Sequence, residues 1–355
     1  MANLGGKLLY VPRPEYNQSI QLMKLLLMPF VCFWAFGFPD GLRIVETISG
    51  FVVPTFFVLS GYCVLEPNRK MRLEKLKRAI ARDAIFFAQI FVVYLAINVV
   101  YFILTKSFDP GALLSKRLWF NLIVLNVWPL PIGENIWFIQ ALLYAYIILF
   151  FADKLKILKF YRIYLIVLFV FMILVGELAG VIHFNILGYS FIPGGAITRA
   201  LPYLLLGMFL RGIKEKLEKI PFFVWLILLV AGGAAAYGEA YLLSVAGKLV
   251  SLGHFFGYAL MAVAICGLCI AWEDMFMTPF SFHGGEIGKV IYVAHNPLYY
   301  ILLLLVAIFV PQNLNMAMAF GGVFVFVVGL ILGILVVIGK IIAANLTIDK
   351  DEEEL

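Results

Sequence analysis

Residues 321–339 read Gly-Gly-Val-Phe-Val-Phe-Val-Val-Gly-Leu-Ile-Leu-Gly-Ile-Leu-Val-Val-Ile-Gly, an apolar run without one charged or amide side chain. At about 1.5 Å of rise per residue, a helix of this length comes close to crossing a hydrocarbon layer about 30 Å thick. Runs of the same kind recur along the chain. Membrane spans are expected near 18–37, 47–65, 83–104, 136–152 and 162–182, and again near 199–213, 221–242, 253–272, 287–310 and 317–344. Backbone groups in lipid must satisfy one another within the segment, so the spans are expected as helices. The expected fold is all-α, a polytopic transmembrane bundle of about ten spans.

Composition supports the same reading. Apolar residues make up 64% of the 355 and charged residues 14%, against about 45–50% and about 25% in soluble domains. A soluble globule lacks the polar surface it would need, and the connections are too short for a separate catalytic domain. The chain therefore reads as a single membrane-embedded domain over 1–355, with a short segment at 1–17 and an acidic tail at 345–355 that looks solvated and disordered. Residues 118–130 are apolar but short and end in Trp-Pro-Leu-Pro, which suggests a half-inserted hairpin.

Lys and Arg set the orientation. Arg69, Lys70, Arg72, Lys75, Lys77, Arg78 and Arg82 follow the second span, and Lys154, Lys156, Lys159 and Arg162 follow the fourth. Arg211, Lys214, Lys216 and Lys219 follow the sixth, so these loops and both termini are expected in the cytoplasm. The net charge of +6 is this bias, not a nucleic-acid patch. Pro12, Pro14 and Glu15 precede the first apolar run and no small-residue cleavage site follows it, which points away from a cleaved signal.

Ionisable groups inside spans are costly and are candidates for function by default. Lys24 lies about two turns into the first span, where snorkelling to the headgroups is the simpler reading. His295 lies deeper, in Ile291-Tyr-Val-Ala-His-Asn-Pro-Leu298, and Pro297 frees a carbonyl near residue 293 that the imidazole could use. Arg78 and Arg82 share one helix face and suit either a phosphorylated donor or anionic lipid. Arg199 opens the sixth span after Pro193-Gly-Gly195, and Trp137 opens the fourth after Gly133-Glu-Asn135, as a site residue or an aromatic-belt residue. Glu134, Glu177 and Glu239 fall near span ends, and His283 sits in what reads as a flexible loop with Gly284, Gly285 and Glu286. His183 and His254 read as interface residues. No carboxylate stands at the centre of a span, which argues against an ion-coupled transporter. Cys266 and Cys269 form a C-x-x-C flanked by apolar residues, better read as small residues at a helix interface than as a redox or metal site, and no metal site is expected.

Five segments together resemble the integral-membrane acyltransferases known as acyltransferase 3. They are Ser19-Ile-Gln-Leu-Met-Lys24, Phe56-Phe-Val-Leu-Ser-Gly-Tyr62 with the basic run after it, Trp137-Phe-Ile-Gln-Ala-Leu-Leu-Tyr144, Leu201-Pro-Tyr-Leu-Leu-Leu-Gly207 preceded by Arg199, and Ile287-Gly-Lys-Val-Ile-Tyr-Val-Ala-His-Asn-Pro297. The resemblance implies a multi-pass enzyme of the cell (plasma or inner) membrane. Its reaction would move an acyl group, usually acetyl from acetyl-CoA, to a hydroxyl of a cell-envelope polysaccharide or a lipid-linked carbohydrate. The implied partners are acyl-coenzyme A, the carbohydrate acceptor, the bilayer and, as an allowed assembly, a homodimer; no metal and no nucleic acid are implied. Arg78 and Arg82 would bind the donor phosphates, and His295, Tyr292, Trp137 or Arg199 would orient the acceptor or hold the oxyanion.

The resemblance also implies a basic residue in the first span, ten residues, and then a catalytic His. Counting from Lys24, that place is held by Ala35. Alanine cannot act as a base. Either the chain is a divergent member that has lost or moved its chemistry, or Ala35 is an engineered His→Ala change, alanine being the usual knock-out substitution. A non-enzymatic carrier or exporter, or an accessory subunit of polysaccharide synthesis, is the alternative on the same scaffold.

Overall fold

The computed structural model describes residues 18–39, 43–105, 111, 115–128, 130–175, 178, 181, 195–249, 255–272 and 279–353. The 1–17 segment, Glu177, His183 and His254 lie outside the described residues. In chain order the helices are α1 (Gln18–Leu26), α2 (Met28–Phe36), α3 (Arg43–Ser49), α4 (Val52–Val64), α5 (Arg69–Leu104), α6 (Lys116–Ile123) and α7 (Trp137–Lys154). They continue as α8 (Tyr161–Val175), α9 (Leu201–Gly212), α10 (Lys214–Leu217), α11 (Phe222–Val245), α12 (Phe256–Ala271), α13 (Pro279–Phe309) and α14 (Leu314–Glu353). No strand occurs among the described residues, so the fold is an all-α helical bundle.

Eight helical stretches are long and apolar enough to cross a membrane: 18–36, 44–64, 69–104, 134–154, 158–175, 222–245, 282–309 and 311–343. The other two expected spans are shorter helices. One is a five-residue π-helical stretch, Ala196–Ala200, continued by the 12 residues of α9. The other is α12, in which twelve of 16 residues are buried, so its surroundings are protein rather than lipid and its length need not match a bilayer. Cys266 and Cys269 are buried within α12, and Gly267 beside them packs against the indole of Trp225, as small residues at a helix interface should. The acidic end is helical as far as Glu353, where the sequence reads as disordered; glutamate is a good helix former.

Contacts divide the chain into two compact units, residues 1–43 with 272–355, and residues 44–271.

In the first unit, α1 ends at Leu26 and α2 begins at Met28 with Pro29 in its first turn. Proline has no N–H to donate, so the helix of the first span is interrupted at Leu27, although the Leu27 N–H still reaches the Met23 carbonyl and the Val31 N–H that of Leu27. Gly37, at φ +74°, stops α2 one residue after Phe36. Residues 283–286 are helical, not a loop. The reason is packing: a Cβ on Gly284 would stand 2.5 Å from the Gln21 carbonyl oxygen, so glycine alone lets α13 lie backbone to backbone on α1. Along α14, Gly321 makes room for the Tyr299 ring of α13, and Gly333 lies against the side chain and backbone of Ile287.

In the second unit, α4 and α9 cross at a reciprocal glycine pair. A Cβ on Gly61 would overlap the Leu204 carbonyl oxygen, and one on Gly207 would overlap that of Val58. Helices α5 and α7 run antiparallel, joined by polar contacts near both ends. Between them in the chain, α6 is followed by irregular chain through residue 128, in the stretch where the sequence suggests a half-inserted hairpin. Irregular backbone among apolar helices needs protein partners, and here it has them. Gln140 Nε2 donates to the Leu122 carbonyl at 2.6 Å, the Tyr144 hydroxyl to the Ile123 carbonyl at 2.6 Å, and Asn126 Nδ2 to the Trp137 carbonyl at 2.9 Å.

Candidate functional site

The chemistry of the first unit gathers at the end of α2. Gly37 fixes Ala35 and Phe36 in the last turn, where Ala35 is exposed. The Phe36 ring stacks on Tyr299 at 4.1 Å between centroids and lies 5.7 Å from the His295 ring. His295 is 1% exposed, and Tyr292 lies on the same helix with its ring 5.8 Å away. His295 Nδ1 is 2.6 Å from the Tyr292 carbonyl oxygen. That carbonyl belongs to the residue before the one that Pro297 was expected to release, because a histidine reaches back most directly to the residue three positions earlier. A carbonyl can only accept, so Nδ1 carries the proton and the neutral ring keeps its lone pair at Nε2. An imidazole held this way can take a proton through Nε2. Lys24 is half buried less than one turn before the break at Leu27, its stem beside Gly285.

In the second unit the basic run divides into two parts. Arg69 donates from Nε and Nη2 to the Asp153 carbonyl at 3.1 and 3.0 Å, and from Nη2 to the Lys154 carbonyl at 3.0 Å, which caps the C-terminus of α7. Arg72 grips Asp153 in a two-point pair, Nε to Oδ2 at 2.9 Å and Nη2 to Oδ1 at 2.7 Å, and Lys75 pairs with Glu66. These cations are absorbed in holding helices together.

Arg78 and Arg82 are exposed and occupy one face of α5, on the stripe that continues through exposed Ile85, Val93 and Val100. Arg82 Nε donates to Asp83 Oδ1 at 2.7 Å, while Asp83 itself is only 5% exposed. Sequence reasoning missed this carboxylate. It opens an apolar run beside an arginine and so passes for one more solvated charge; only the turn of the helix toward α7 buries it.

The π-helical stretch brings Arg199 and Trp137 together. Gly195, at φ +78°, starts that stretch, and the Ala200 N–H reaches the Gly195 carbonyl at 2.6 Å across one extra residue. The Arg199 guanidinium then stands 5.5 Å from the centre of the Trp137 ring, a cation–π contact. This pair is at the start of α7, whereas Arg69 and Arg72 hold its far end. Among the described residues no group of three His, Cys, Asp or Glu side chains could hold a metal ion.

The family model described as an acyltransferase domain, acyltransferase 3, matches residues 17–339, nearly the whole chain. Comparison with curated proteins and with solved structures gave no match. The matched stretch includes Lys24, Arg78, Arg82, Trp137, Arg199, Tyr292 and His295, and with its apolar helices the chain belongs to the acyltransferase 3 family of membrane acyltransferases.

Proposed function

We propose that the protein is an O-acyltransferase that moves an acetyl group from acetyl-coenzyme A to a hydroxyl of a cell-envelope carbohydrate, with both termini in the cytoplasm. The observation that carries this reading is the His295 imidazole, buried and fixed by the Tyr292 carbonyl with its basic nitrogen at Nε2. Position 35 holds alanine, so the proton-accepting role falls to His295. Nε2 takes the proton of the acceptor hydroxyl as its oxygen attacks the thioester carbonyl. The C–S bond breaks, an O-acyl ester forms, and the coenzyme thiolate leaves and receives that proton back from the imidazolium. Arg78 and Arg82 suit the donor phosphates, since guanidinium groups make charge-assisted bonds to phosphate. Arg199, held on Trp137, suits an anionic group of an acceptor.

The test is a proteoliposome assay with labelled acetyl-coenzyme A that follows free thiol and acylated acceptor together. An acyltransferase releases one thiol for each acyl group gained by the acceptor. Movement of the acceptor across the membrane without thiol release would make the protein a carrier on the same scaffold.

A further inference from the structure

Two carboxylates of the second unit meet arginines of α5, and they do so differently. Asp153 is closed: both oxygens are taken by Arg72. Asp83 is half open. Its Oδ1 accepts from Arg82, but Oδ2 is buried with no hydrogen-bond partner. Tyr146, a buried aromatic in electrostatic reach, has its side-chain hydrogen bond with Ser60 instead. A buried carboxylate oxygen without a donor is disfavoured, and such a group calls for an explanation. Asp83 is eleven residues beyond Arg72, about 16 Å further along α5 and away from the polar clamp that could have supplied a donor. Its arginine partner is Arg82, and Arg78 lies one turn back from Arg82 on that residue's face of α5.

We infer that Arg78, Arg82 and Asp83 form a binding site for a phosphate ester that carries a hydroxyl or amide N–H close to its phosphate. The arginines take the phosphate, and Asp83 Oδ2 accepts the neighbouring O–H or N–H. This rests on the reading of Arg78 and Arg82 as donor-binding residues and deepens it, because a site made of cations alone would accept any polyphosphate. Asp83 repels a bare anion and rewards one with a donor beside it, so it sets specificity. The pantetheine arm and ribose of an acyl-coenzyme A offer such donors, and so does a glycerol phosphate headgroup.

The experiment titrates the full chain, in phosphatidylcholine nanodiscs, with coenzyme A and with inorganic pyrophosphate, which has the phosphates but not the organic donors. Asp83→Asn is expected to weaken coenzyme A binding about tenfold, the size of a hydrogen bond to a charged group. The same variant is expected to bind pyrophosphate as tightly as the parent or more so, which also shows that it is folded. Equal weakening of both ligands would make Asp83 a structural group and overturn the inference, as would no change in either. Arg78→Gln should weaken both ligands; if it weakens neither, the donor-binding reading fails, and the inference with it, whatever Asp83→Asn does. Repeating the titration with phosphatidylglycerol in the discs separates the sources. If that lipid competes with coenzyme A in the parent but not in Asp83→Asn, the headgroup is the ligand of this site.

Discussion

Asn98 holds both polar groups of Ile132: its Nδ2 donates to the Ile132 carbonyl at 2.6 Å, and its Oδ1 accepts from the Ile132 N–H at 3.0 Å. A side-chain amide of α5 thus pairs with one peptide of the chain after α6, as a neighbouring strand would. Trp128 Nε1 adds a second donor to the same carbonyl at 2.8 Å, so the carbonyl has a reserve and the N–H does not. Replacing Asn98 by Leu should leave the N–H unpaired in a buried place and destabilise the protein by about 2 kcal/mol. A thermal melt in detergent checks it; an unchanged midpoint would show that Asn98 is not what anchors this stretch.

The Arg72–Asp153 pair is nearly dry, at 15% and 2% side-chain exposure. Removing one partner of such a pair strands the other charge and should cost about 3 kcal/mol. Arg72→Met is therefore expected to unfold at clearly lower denaturant than the parent. The Arg72→Met, Asp153→Leu double variant should recover much of the loss. Coenzyme A binding should not change in the double variant, because this cation closes a helix pair and faces no ligand.

Two glycines inside helices should behave oppositely. Gly207 sits where a Cβ would overlap the Val58 carbonyl, whereas nothing lies within 4 Å of a Cβ on Gly238. Gly207→Ala forces α4 and α9 apart and is expected to destabilise by about 1–3 kcal/mol. Gly238→Ala, in the middle of α11, should be neutral or stabilise by up to about 1 kcal/mol through helix propensity. Comparing the two melts tests the backbone contact itself, since the substitution is the same.

The helices were legible because their signal is local. Apolar runs such as 321–339 have no alternative in water or in lipid, and Trp-Pro-Leu-Pro marks a chain that cannot continue as a helix. The site was legible in pieces. His295, Arg78, Arg82 and the Arg199–Trp137 pair stand out as polar or aromatic residues in unusual places. Asp83 did not, because its meaning lies in which way α5 turns and in what α7 fails to offer it. His283 and its glycines read as a loop for a related reason: glycine is flexible in isolation, and only the closeness of α1 makes Gly284 and Gly285 helix-packing residues. The break at Leu27 was written in Pro29, yet its effect on the Lys24-to-35 spacing appears only once α2 is seen to start there.

The most direct test of the account compares acetyl transfer from labelled acetyl-coenzyme A by the parent chain, His295→Asn and Ala35→His in proteoliposomes. With His295 as the base, the parent transfers label to the acceptor and His295→Asn loses it by about 100-fold or more, the usual share of a general base. Coenzyme A binding should persist in that variant. A His295→Asn protein as active as the parent, or a parent that binds coenzyme A but transfers label only after Ala35→His, would contradict the account.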